Sequence, residues 1–281
     1  MVTATGYAAG PGGLPMRRLA AAGAHAELCA HGAHVTAWRP AGETQSRLYL
    51  SARSAFRSGV AIRGGVPVIF PQFAVEGPLP RHGFARTARW RPDPAQNDRG
   101  RAVLQLDETL ATDVRWPHAY RAELCVELAA RSLALQLSVA NTGAQPFAFT
   151  AALHSYCAVD DVRAASVHGL CGLRYRDSAG GMRVVVDTTD AVRFAGEVDR
   201  IYFDVPGTVE LREPRRQLQV RASGFPDCVI WNPGAEKAAA LADLDADGHL
   251  RFVCIEAAVI GRPVRLEPGA SWSGTQTLRA A

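Results

Sequence analysis

The sequence predicts an all-β chain folded as one large antiparallel β-sandwich, and three observations carry the prediction. Apolar residues alternate with polar ones at period two along much of the chain, turn-forming residues punctuate the alternating runs, and no long stretch repeats at the helical spacing. A length of 281 residues suits one domain with a sizeable core, because all-β folds often run this long undivided. The expected organisation is a flexible lead-in over residues 1–14 and a single sandwich domain over 15–281.

Taken in chain order, the elements justify that reading. Arg17 and Arg18 precede LAAAGAHAELCA, which imitates a secretion signal until His25 and Glu27 interrupt it, so no cleaved signal is expected. Residues 62–86, IRGGVPVIFPQFAVEGPLPRHGFAR, carry Pro67, Pro71, Pro78 and Pro80 beside Gly64, Gly65 and Gly77. Proline removes ladder donors and glycine weakens strands, so this segment is neither a central strand nor a helix and must do something other than fill a core. In RAELCVELAA, Ala122, Leu124, Val126 and Leu128 alternate with Glu123, Cys125 and Glu127; Leu133, Leu135, Leu137 and Val139 then alternate with Ala134, Gln136 and Ser138. Asn141-Thr142-Gly143 closes that second run, and Asp247-Gly248 precedes the expected strand HLRFVCIEAAV.

Composition and missing motifs exclude several functions. The formal net charge of +4 comes with thirty arginines and one lysine, Lys237, and no basic run, so nucleic acid is not an expected partner. No segment reaches the roughly eighteen uninterrupted apolar residues of a membrane span, so no membrane partner is expected either. The cysteines Cys29, Cys125, Cys157, Cys171, Cys228 and Cys254 form no CxxC pair and lie in apolar surroundings. They read as buried reduced thiols of a cytoplasmic protein rather than a disulfide framework. GxGxxG, GxxxxGK[ST], HExxH and GxSxG are all absent. His31 and His34 lack an acidic partner at metal-ligand spacing, and Lys237, next to Glu236, has no obvious desolvation to make it a Schiff-base amine.

Two titratable groups sit within otherwise apolar strands. In FTAALHSYCAV, His154 shares a face with Ala152 and Tyr156; in RFVCIEAAV, Glu256 shares a face with Phe252, Cys254 and Ala258. A buried carboxylate is costly unless paired. Glu256 could pair with an arginine while His154 donates to a backbone carbonyl, or the two could converge on one ligand as acid and base.

The blocks IRGGVPVIFPQF with LPRHGFAR, NTGAQPFAFTAALHSY, EVDRIYFD and VIWNPGAEKAAALADLDADGHLRFVCIEAA together resemble the hexose-6-phosphate mutarotase (glucose-6-phosphate 1-epimerase) branch of the aldose 1-epimerase superfamily. They run in order from about residue 60 to 275. The resemblance implies a large galactose-mutarotase-like β-sandwich, the supersandwich, and interconversion of the α and β anomers of a hexose 6-phosphate without metal, nucleotide or other cofactor. It implies His154 as general acid and Glu256 as general base, which would require His154 protonated and Glu256 ionised near neutral pH. Arg63 and Arg86 would grip the 6-phosphate, where a guanidinium offers a planar fork of donors. Gln72 and His82 would meet sugar hydroxyls, His82 with loop capping as its alternative. Asp199 would contact hydroxyls or else pair with Arg200 as a turn aspartate. Arg81 departs from the glutamine that many relatives carry before this histidine, and adds a cation. The expected partner is a small-molecule sugar phosphate, and a monomer is favoured over an oligomer. A mutarotase for unphosphorylated aldoses and a non-catalytic carbohydrate-binding protein are the competing functions.

Overall fold

A computed structural model describes residues 6–281, and its described strands form three antiparallel sheets. The four-stranded N-terminal sheet is Ala8–Ala9, Pro15–Ala21, Ala24–Cys29 and His34–Arg39. The eight-stranded back sheet runs from Ser166–His168 through Val209–Arg212, Gln217–Ser223, Ser271–Ala280, Ser132–Asn141, Tyr120–Leu128 and Arg101–Asp107 to Arg91–Pro92. The front sheet, also eight-stranded, runs from Arg183–Val186 through Arg174–Asp177, Val198–Tyr202, Asp227–Asn232, Phe252–Leu266 and Phe147–Leu153 to Val68–Ile69, and Tyr156–Ala158 also pairs with Phe252–Leu266. Helix is confined to short pieces, of which Gly234–Ala239 is the α-helix. No helix among the described residues is long and apolar enough to cross a membrane.

The alternating runs do what their period requires. Leu124, Val126, Leu135 and Leu137 of the back sheet meet Phe149, Ala151, Leu153, Val253, Ile255 and Ala257 of the front sheet in one core that extends to Leu19 and Leu28. The front sheet differs in being covered on both faces. Ile69, Ala152, Val229, Ala258 and Ile260 form one apolar group on its outer side, and Tyr156, Phe252, Cys254 and Leu244 form another. Every residue from Phe252 to Ile260 is therefore buried, which is why FVCIEAAVI is nearly continuous in apolar character around its single carboxylate.

Three sequence expectations are corrected in detail. Part of the expected lead-in is structured: Tyr7 is buried in the main core and Ala8–Ala9 pairs with Pro15 and Met16, while residues 1–5 lie outside the described residues. The strand expected from His249 starts at Phe252, after a 3-10 turn over Gly248–Arg251. Cys171 is exposed, unlike the other five cysteines, and all six are free thiols.

The run FTAALHSYCAV also opens at its centre. Ala152 pairs with Ala258, Leu153 with Ala257 and Tyr156 with Cys254, so the register is kept across the interruption and His154 stands opposite Glu256. The His154 amide donates to the Pro67 carbonyl at 3.0 Å, while Ser155 accepts from the Ile255 amide at 3.1 Å. Gln276, fully buried in the back sheet, secures this point from behind. Its Oε1 accepts from Ser155 Oγ at 2.5 Å and its Nε2 donates to the Ile255 carbonyl at 3.1 Å. Gln276→Leu is expected to lower unfolding free energy by about 1–3 kcal/mol, because it strands a buried hydroxyl and a buried carbonyl. Urea melts of the two proteins check this; coincident curves would overturn it.

Candidate active site

Four strand positions on the outer face of the front sheet lie in one row across it: His154, Glu256, Val229 and Ile201. The next row is Tyr156, Cys254, Trp231 and Asp199. Residues opposite one another in antiparallel strands have Cβ atoms about 4.5–5.5 Å apart, so the ladder alone brings a histidine, two carboxylic acids and two aromatic rings together. His154 Nε2 lies 3.3 Å from Glu256 Oε1, with Glu256 1% exposed. The imidazole stacks on Tyr156 at 4.9 Å and 10°, and Trp231 meets it edge-on.

The proline- and glycine-rich segment 62–86 closes over this face. It is held by short bridges, Leu50 to Gly64, Val35 to Val66 and Phe70 to Gly83, and by Val68–Ile69 pairing with Leu153 and Ala152. Gly64 has φ 109° and a Cβ there would stand 2.4 Å from the Tyr49 carbonyl oxygen, so glycine beside Arg63 admits another strand's backbone rather than a ligand. His82 adopts φ 69°, a left-handed conformation uncommon outside glycine. Its Nδ1 accepts from the Ala74 amide at 3.2 Å, which leaves the proton of the neutral ring on Nε2. His34, buried behind the loop, has its Nε2 2.8 Å from the Gly64 carbonyl oxygen, and burial pushes its pKa down to about 4, so it is a neutral brace.

Together these parts enclose a cleft of about 490 Å³ lined by Arg63, Arg81, His82, Arg86, His154, Asp199, Trp231, Lys237 and Glu256, among others. A broader groove of about 910 Å³ lies between the turn at Gly23 and residues 98–101, but none of its titratable side chains is buried. Strongly shifted titratable groups in a cleft mark the candidate site, and they are in the first.

The electrostatics of the cleft are dominated by crowded cations. Arg63 donates through Nη1 to the Tyr156 hydroxyl at 3.0 Å and through Nε and Nη2 to Asp243 Oδ1 at 3.2 and 3.1 Å. Arg86 donates to the Arg81 carbonyl, while its buried Nε has no hydrogen-bond partner. Desolvation, followed by the neighbouring Arg63 and Arg81 charges, pushes the Arg86 pKa down to about 10, although Tyr156 and Asp243 counter this. Burial and the same arginines push His154 well below the ordinary histidine value. Burial, reinforced by Asp199, pushes Glu256 well above the ordinary carboxylate value. Both directions oppose the charge states expected from the sequence, since each disfavours the charged form of its group. His154 Nδ1 and Glu256 Oε2 are buried without a hydrogen-bond partner.

Seven of the eight residues singled out in the sequence line this cleft. Gln72 is the exception, since Nε2 donates to the Ala74 and Leu79 carbonyls and Oε1 accepts from the Leu79 amide, so the side chain organises the loop and does not line the cleft. Arg200 pairs with Asp187 and Tyr202, which leaves Asp199 directed to the cleft, its pKa raised by desolvation. Lys237 reaches the rim and pairs with Glu197 at 2.5 Å. Sequence reading missed the roles of Tyr156, Trp231 and Asp243. Tyr156 was legible, standing two residues after His154 on the same face; Asp243 was not, because the loop LADLDADG reads only as a turn.

A β-sandwich that carries a buried histidine–carboxyl pair and a set of guanidinium groups in one open-topped cleft is an acid–base enzyme for a small polar, anionic substrate. Residues 17–279 match the family described as aldose 1-epimerase, and the chain belongs to it. The chain is 33% identical over 270 residues to a Cenchrus ciliaris protein provisionally named glucose-6-phosphate 1-epimerase, covering 91% of this chain and 81% of that one. It is 31% identical to an Escherichia coli K12 protein with the same provisional name, over 91% of this chain and 87% of the other. A crystal structure of a protein from Salmonella typhimurium, provisionally called a mutarotase, superposes with a TM-score of 0.85 at 29% identity, covering 95% of this chain and 90% of that one.

The Glu256 pKa makes a prediction about stability. A carboxyl whose folded pKa is raised contributes fully to stability below its unfolded value, near 4.5, and that stability erodes as pH rises toward the folded pKa. Glu256→Gln cannot ionise, so it is expected to be more stable than the wild type by roughly 1–3 kcal/mol at pH 8, with the gap shrinking towards pH 4. Thermal melts at both pH values test this; a gap independent of pH would contradict it.

Proposed function

We propose that this protein interconverts the α and β anomers of a hexose 6-phosphate by general acid–base ring opening and closure, as a glucose-6-phosphate 1-epimerase. The observation that carries the reading is the convergence of Arg63, Arg81 and Arg86 on the same cleft as the His154–Glu256 pair. Crowded, partly desolvated guanidinium groups repel one another, and a phosphate dianion relieves that cost with charge-assisted hydrogen bonds. The names of the relatives point to the same substrate class.

The chemistry asks for an acid and a base side by side. The anomeric hydroxyl and the ring oxygen are bonded to the same carbon, so the groups that serve them must be close neighbours, and the 3.3 Å separation of Nε2 and Oε1 supplies this. Opening removes one proton from the anomeric hydroxyl and delivers one to the ring oxygen, so the pair begins and ends the step with one proton. Starting from the neutral pair, Glu256 donates to the ring oxygen as His154 accepts from the anomeric hydroxyl. The aldehyde turns about its C1–C2 bond, and closure on the other face runs with the two roles exchanged. The net charge of the pair is unchanged through the step, and the imidazolium and carboxylate formed on opening face each other across the 3.3 Å contact. His82 Nε2–H donates to a hydroxyl, Asp199 pairs with another, and Trp231 packs on the sugar's C–H surface.

Exchange NMR between the anomers of glucose 6-phosphate tests the proposal. His154→Asn and Glu256→Gln are each expected to lower kcat/KM by about 10²–10⁴. Arg86→Ala is expected to raise KM for the phosphate ester at least tenfold while leaving any exchange of free glucose unchanged; equal losses for ester and free sugar would favour the unphosphorylated aldose instead. The rate should form a broad bell with pH. Its acid limb belongs to protonation of His154, below 6.5, and its alkaline limb to ionisation of Glu256, above 4.5. A rate that climbs steadily with pH, as hydroxide catalysis would, contradicts a shared-proton pair.

A further inference from the structure

One buried side chain beside the His154–Glu256 pair has no part in the acid–base reading. Cys254 lies two residues before Glu256 on the same strand and the same face, opposite Tyr156 as Glu256 is opposite His154. The ligand atoms of His154, Cys254 and Glu256 all lie within 4.8 Å of one another, and all three residues are buried. No other group of this kind occurs among the described residues.

We propose that these three side chains form a binding site for a thiophilic divalent cation, with zinc as the type, and that occupancy of the site blocks turnover. Imidazole nitrogen, thiolate sulfur and carboxylate oxygen are a donor set suited to zinc, and three protein ligands leave a fourth position open toward the cleft. The 3.3 Å between Nε2 and Oε1 is about the edge of a tetrahedron around an ion with bonds of about 2.0–2.1 Å, so two ligands already have the required spacing. Cys254 Sγ, within 4.8 Å of both ligand atoms, would supply the third corner by moving inward. Glu256 Oε2, buried without a hydrogen-bond partner, offers a further donor.

Thiolate and carboxylate together carry two negative charges, so a bound divalent ion leaves the site neutral beside Arg63, Arg81 and Arg86. Metal-ligating histidines usually donate their other ring N–H to an acceptor that fixes the ring, whereas His154 Nδ1 has no such partner. Missing outer support of that kind typically costs about 10–100-fold in affinity, so the site binds reversibly and serves inhibition rather than holding a resident cofactor. Sugar and ion compete for the same imidazole and carboxyl.

The test is a cobalt(II) titration of the metal-stripped protein in a Cys171→Ser background, which removes the exposed thiol. Expected is a thiolate-to-cobalt charge-transfer absorption that saturates at one equivalent and is lost in Cys254→Ser. Zinc is expected to suppress anomer exchange reversibly, with EDTA restoring it, and Cys254→Ser should raise the half-inhibitory zinc concentration at least tenfold. No absorption in the parent, absorption undiminished by Cys254→Ser, or unchanged zinc sensitivity would overturn the inference. If Cys254→Ser melts abnormally, Cys254→Ala carries the same comparison, since a methyl fits an apolar site. The inhibition arm rests on the proposed acid–base roles, but the cobalt absorption does not, so failure of one reading is distinguishable from failure of the other.

Discussion

A carboxyl group buried on a central strand is the constraint to which the rest of this structure answers. Glu256 is reached by no water-exposed surface of consequence and by one nitrogen, that of His154. In such surroundings a lone carboxylate would cost several kcal/mol, and burial pushes the carboxyl pKa upward, in favour of the protonated form. The front sheet is built so that this proton has a single neighbour to go to. The register holds His154 opposite Glu256, the strand opens just there so that His154 pairs with Pro67, and Gln276 satisfies the groups left by that opening.

Around that pair the loop 62–86 acts as a frame for charge. Arg63 is fixed by Asp243 and by the Tyr156 hydroxyl, and the Tyr156 ring stacks on the His154 imidazole. An anion at Arg63 would thereby be linked through one aromatic side chain to the His154 imidazole. The left-handed backbone at His82 and the inward-turned amide of Gln72 belong to the loop's own hydrogen bonding, in which His82 uses Nδ1 and leaves Nε2 for the cleft. Preformed frames of this kind bind by placing charge in advance rather than by reorganising.

Much of this was legible in the sequence, for physical reasons that differ by element. Period-two alternation in RAELCVELAA and the following run reports one buried face, and both strands are where it puts them. The segment 62–86 was legible only as an exception, since prolines and glycines say what a stretch cannot be. His154 and Glu256 stood out as titratable groups in apolar strands, yet alternation does not reveal register, and only the ladder shows that they face each other. The directions in which their pKa values move were not legible, because they depend on Arg63, Arg81, Arg86 and Asp199, which are distant in sequence and adjacent in space. Asp243 and Gln276 gave no signal, because a turn aspartate and a strand glutamine acquire meaning only from what they touch.

The reach of Gln276 across the sandwich also bears on how such a chain can change over generations. Its hydrogen bonds to Ser155 and to the Ile255 carbonyl tie a residue of the back sheet to the strand opening beside the acid–base pair. Losing the amide strands both the Ser155 hydroxyl and the Ile255 carbonyl, and an apolar residue at position 155 relieves only the first. A backbone carbonyl cannot be substituted away, so position 276 is held to a hydrogen-bond donor whatever stands at position 155. A residue of the opposite sheet, outside the cleft, is thereby constrained by the strand that carries Glu256.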